Sequence, residues 1–95
     1  MKYVEFESVW DAIEGTPGDA ENMKLRCVLM SALEQHIAHK KLSRAKAAKD
    51  FGVTQPRVSD LVNGKINQFG IDSLINMAAN AGLKINLSVG QPSNG

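Results

Sequence analysis

The chain of 95 residues is poor in several features that would fix its class at once. It has a single cysteine, Cys27, so an intrachain disulfide framework is excluded and a reducing compartment is the simplest expectation. No apolar run approaches the roughly 20 residues that span a bilayer. The first residues also lack the charged, apolar and small-residue blocks of a secretory signal, so a soluble, cytoplasmic protein without a membrane partner is expected. Two substantial domains are excluded by length, and with 43% hydrophobic and 22% charged residues the chain has neither a disordered nor a collagenous composition. Gly-rich phosphate loops, H-E-x-x-H and G-x-S-x-G are all missing, so no enzyme is expected. A large excess of charge is missing too. The net charge of +1 taken whole argues against a nucleic-acid partner, for which a basic excess is the usual footprint.

Divided along the chain, the same charge reads differently. Residues 1–22 hold one lysine against six acids, a net of −5, whereas residues 23–66 hold nine basic residues against three acids, a net of +6. The remainder is neutral. Such asymmetry between segments points to a charged partner more strongly than the total does, and it directs attention to the basic middle.

The pattern of apolar residues divides the chain into an acidic N-terminal arm over residues 1–18, a helical domain over 19–89, and a disordered tail over 90–95. In the arm, Lys2 to Glu7 alternates weakly as a short strand or extended segment, and Ser8-Val9-Trp10-Asp11 has the S-x-x-D capping spacing of a short helix ending at Gly15. Asp19 then suits the cap of a long helix from Ala20 to about His39. Leu25, Val28, Leu29, Ala32, Leu33 and Ile37 recur at helical spacing along it, while Met23, Cys27 and Met30 widen its apolar surface. Burial of that wider surface is favoured over a second contact face, and Cys27 is expected to be a buried thiol. Ser43 caps Arg44 to Asp50, Gly52 closes that helix, Thr54 caps Gln55 to Val62, and Asn63-Gly64 ends it. Ile71, Leu74, Ile75, Ala78 and Ala81 mark a further helix, and Leu83, Ile85, Leu87 and Val89 alternate as a half-buried strand.

Two short helices joined by a glycine-containing turn form a helix-turn-helix, whose second helix can enter the major groove of DNA. Ala48 is small where such helices cross, Gly52 can take a positive φ, and Val53, Val58 and Leu61 supply the apolar packing face. Gln55, Arg57, Ser59 and Asp60 are assigned to the opposite face. Gln suits adenine and Arg suits guanine, each bidentate pair giving roughly 1–3 kcal/mol of discrimination. On chemistry alone, Gln55 and Arg57 are the leading base readers, with phosphate binding the alternative for Arg57.

The run from Leu42-Ser43-Arg44 through Val53-Thr54-Gln55-Pro56-Arg57-Val58-Ser59-Asp60-Leu61 resembles the Cro/CI (XRE) family of helix-turn-helix regulators. Continued through Asn63-Gly64-Lys65-Ile66, Phe69, Ile71-Asp72 and Leu74 to Ala81-Gly82-Leu83-Lys84-Ile85, it is similar to the subgroup that includes HigA-type antitoxins, over roughly residues 20 to 89. The resemblance implies a mainly α, lambda-repressor-like bundle of four to five helices with a short C-terminal β-strand. It also implies a sequence-specific repressor of transcription, acting as antitoxin and autorepressor of a type II toxin–antitoxin pair. Gln55, Pro56, Arg57 and Ser59 would read bases, while Arg44, Lys46, Thr54, Asn63 and Lys65 would hold phosphates. The sequence departs from the family pattern at Arg44, commonly glutamine, at Lys46, commonly an acid, and at Gly70, commonly a capping serine. Cations in a first turn oppose the helix dipole by roughly 0.3–1 kcal/mol each, so a DNA phosphate there would compensate Arg44. A solvated face that tolerates lysine is an equal account of Lys46.

The unpaired strand invites dimerisation, by strand pairing or by packing of the C-terminal helix, against the plainer reading of a strand that covers its own domain's core, and a homodimer would suit a palindromic operator. In the acidic arm, Phe6, Trp10 and Asp11 are candidate contacts for a basic ribonuclease toxin, against the plainer reading of a solvated arm whose Trp10 covers its own domain. His36 and His39 are spaced i, i+3 but no further ligand joins them, so surface histidines are expected, with no metal or cofactor. Two alternatives stay open. One is a stand-alone or phage-borne regulator without a toxin, and the other an interaction adaptor that no longer reads DNA.

Overall fold

Thr16 opens the first helix of the computed structural model, which describes residues 16–90. Its hydroxyl accepts from Asp19 N at 3.0 Å, and α1 follows as Pro17–Lys40. The expected start at Ala20, capped by Asp19, is too late. Pro17 stands at a position whose N–H would have no helical partner, so the Thr-Pro-Gly stretch begins the helix instead of breaking it, and the boundary drawn at 18–19 falls inside the first turn. The Lys2–Glu7 segment, the Ser8–Glu14 helix, the candidate contacts Phe6, Trp10 and Asp11, and tail residues 91–95 lie outside the described residues.

Three shorter helices complete the order: α2 (Arg44–Phe51), α3 (Gln55–Val62) and α4 (Ile71–Asn80), with a 3-10 turn at Ile66–Gln68 between the last two. Helix α1 lies along α4, and α2 packs on both α3 and α4. Leu33, Ala47, Phe51, Val58, Leu61, Phe69, Leu74 and Met77 meet in one core. This is the mainly helical bundle expected.

Two details of α1 differ from expectation. Its buried face is formed by Met23, Met30, Leu33 and His36, with Leu29 and Ile37 half-buried, while Val28 is 64% exposed and Leu25 40%. The sequence offers two apolar stripes on one helix, and only the stripe carrying Leu33 meets α4. Cys27, expected to be buried, falls on the outer stripe and is exposed. His36, expected at the surface, lies on the inner stripe: it is buried, its ring centroid is 5.9 Å from that of Phe51, and its Nε2 has no hydrogen-bond partner among the described residues, Asp50 Oδ2 lying 3.9 Å away.

The C-terminal strand is not formed among the described residues. Gly82 (φ 83°) turns the chain after α4, and Leu83 N donates to Ala78 O at 3.0 Å while its side chain packs on the core. Beyond it Leu87 and Val89 are 77% and 86% exposed, with no ladder beside them. Alternation alone does not make a strand. Its N–H and C=O groups need a neighbour, and the one segment the sequence offers, Lys2 to Glu7, is outside the described residues.

Candidate nucleic-acid interface

The turn between α2 and α3 is held from three sides. Ser43 Oγ accepts from Lys46 N at 3.1 Å to start α2, and Gly52 ends it with φ 72°. Val53 N returns to Ala48 O at 3.0 Å, and Asn80 Nδ2, from the end of α4, donates to Phe51 O at 3.0 Å. A Cβ built on Gly52 would come within 2.8 Å of that amide, so the backbone angle favours glycine here and any side chain would also have to displace Asn80. Thr54 occupies the cap position of α3 but makes no side-chain cap bond, which leaves its exposed hydroxyl available.

Helix α3 is fixed by Val58 and Leu61, both fully buried. With about 3.6 residues per turn, that burial turns Gln55, Pro56, Ser59 and Asn63 outward. Gln55, Pro56 and Asn63 are exposed and Ser59 half-buried. Arg44, at the start of α2, reaches across to this surface, its Nη1 donating to Ser59 Oγ at 2.6 Å. Arg44 has no carboxylate partner among the described residues, so its charge faces outward uncompensated. Thr54, Gln55, Pro56, Ser59, Asn63 and Arg44 therefore share one side of the helix pair.

The two lysines assigned to phosphates are placed alike, each in an exposed ion pair. Lys46 Nζ lies 3.7 Å from Asp50 Oδ1 within α2, with 59% of its side chain exposed. Lys65 Nζ lies 3.7 Å from Asp60 Oδ1, although 57% of its side chain is exposed. Asp60, which the sequence placed among the reading side chains, is thus paired.

Arg57 does not join the outward group. It is half-buried on the flank of α3, its guanidinium carbon is 4.1 Å from the centroid of the Phe69 ring, and its Nη1 donates to Gln68 O at 2.9 Å. A second arginine passed over by the sequence reading meets the same turn from α1: Arg26 Nη1 donates to Ile66 O at 3.2 Å, and its Nε to Asn22 Oδ1 at 2.7 Å. The i, i+4 spacing of Asn22 and Arg26 was a visible signal. The contact 40 residues away was not.

Two short helices crossing over small residues, a left-handed glycine turn, and a second helix with a polar exposed face define a helix-turn-helix domain. A family model described as a helix-turn-helix domain matches residues 14–90, and the chain belongs to that family, the fold class of DNA-binding regulators. No curated protein matches the chain. Among the described residues no helix is long and apolar enough to cross a membrane.

Proposed function

We propose that the protein is a sequence-specific, double-stranded-DNA-binding repressor in the cytoplasm, reading a palindromic operator as a homodimer. The observation that carries this reading is the outward face of α3, where exposed Gln55 stands one turn before Ser59, whose hydroxyl accepts from the guanidinium of Arg44. Gln55 and Ser59 offer donors and acceptors to base edges, and Pro56 an apolar surface to a thymine methyl group. Arg44, Thr54, Asn63 and Lys65 frame that face with groups that bond phosphate oxygens.

The finer role is antitoxin and autorepressor of a toxin–antitoxin pair. Its support is the resemblance of the Val53–Lys65 string to HigA-type proteins and the −5 charge of residues 1–22, which suits a basic toxin. Exposed Ile85, Leu87 and Val89 support pairing between copies. The test is fluorescence anisotropy with duplexes from the DNA upstream of the protein's own reading frame. Gln55→Ala should weaken operator binding by roughly 1–3 kcal/mol while sparing non-specific binding. A wild-type protein that binds every duplex equally defeats the reading, and failure of the neighbouring gene product to co-purify defeats the antitoxin role alone.

A further inference from the structure

Two arginines from different helices converge on one three-residue turn. Ile66 O, which accepts from Phe69 N at 3.2 Å within the turn, also accepts from Arg26 Nη1, and Gln68 O accepts from Arg57 Nη1. Each guanidinium is itself oriented by a further contact. Asn22 Oδ1 holds Arg26 at 2.7 Å, and the ring of Phe69, 1% exposed, supports Arg57. The turn is also tied to the end of α3, since Lys65 N donates to Asp60 O at 3.0 Å and Gln68 N to Lys65 O at 2.9 Å.

We propose that Arg26 and Arg57 are positioning residues of the DNA interface: they hold the 65–68 segment against α1 and α3 so that Lys65 meets the phosphate backbone, and Arg57 reads no base. This rests on the DNA-binding reading above. Both guanidinium groups donate to main-chain carbonyls, and neither has a carboxylate partner among the described residues. What each gives the turn is its planar set of donors, which hold the segment in place. Asn67 and Gln68, both exposed, are carried on the same rigid segment. Arg57 cannot keep its bond to Gln68 O and its place on Phe69 while reaching a base edge on the outward side of α3.

The first measurement needs no DNA. In Arg57→Gln and Arg26→Gln, hydrogen exchange at the Gln68 and Phe69 amides should quicken at least tenfold while the amides of α1 and α4 keep their protection. Unchanged exchange overturns the positioning role. The second uses a labelled operator duplex and its single-base-pair variants. Arg57→Gln should bind all of them weaker by one common factor, roughly tenfold. Its salt slope should flatten by about 1, and adding Lys65→Gln should cause no further loss, because the phosphate contact is already gone. Arg57→Lys, which keeps the charge but not the planar donors, should behave like Arg57→Gln. Relaxed discrimination at a single base pair would instead make Arg57 a base reader and overturn the proposal, as would fully additive losses with Lys65→Gln. A wild-type protein that binds no duplex overturns the DNA reading and the interface role with it, while the exchange result still decides whether the two arginines fix the turn.

Discussion

Side chains of one chemistry have different duties here because of where their ends are tied. Gln55 and Arg57 are both suited to base edges by composition, yet Gln55 is exposed and Arg57 stacks on Phe69. Helical period was enough to place Gln55, Pro56 and Ser59, since short side chains stay where their Cα puts them. A long arginine spans several ångströms, and its end is fixed by a neighbour such as Phe69 that periodicity does not bring into view. The same reasoning applies to Arg44, whose end meets the Ser59 hydroxyl. Arg44→Gln should weaken DNA binding and flatten the slope of log K against log salt by about 0.9, because Arg44 has no internal carboxylate. Equal slopes for wild type and Arg44→Gln would remove Arg44 from the phosphate contacts.

Among the elements, the helix-turn-helix was the most legible because its constraints are local: Ser43 caps α2, Gly52 turns left-handed, and both appear in the sequence as residue types with few other uses. Gly52→Ala should be more destabilising than Gly64→Ala in thermal melts. Both glycines have φ 72°, but only at Gly52 does the new methyl collide with the Asn80 amide that caps Phe51 O, so a cost of about 1–2 kcal/mol from the backbone is increased by a lost bond. Equal costs would mean that the amide gives way freely. Thr16→Ala should cost about 1 kcal/mol through the lost bond to Asp19 N, which a melt of the full chain would detect. The choice of buried stripe on α1 and the fate of Leu83 to Val89 were illegible for the opposite reason. Each depends on a partner surface, and the sequence pattern of the element alone is compatible with both outcomes.

At the scale of the molecule, one small core positions every part of the interface. Phe51, Val58 and Leu61 are fully buried where α2 meets α3, and Phe69 joins them under Arg57. Phe51→Ala should therefore cost about 3–5 kcal/mol and take DNA binding with it when the domain melts, in contrast to Gln55→Ala, which should leave the melting temperature unchanged. The near-neutral total charge is the sum of an acidic N-terminal segment and a basic helix-turn-helix, and it carries no evidence against a nucleic-acid partner. The most direct test is binding of the wild-type chain to its own upstream duplex and to a shuffled duplex over a range of salt. Preference for the upstream duplex by roughly a thousandfold or more, with affinity falling linearly in log salt, is the predicted result. Equal affinity for the two duplexes, or no binding to either at moderate salt, would contradict it.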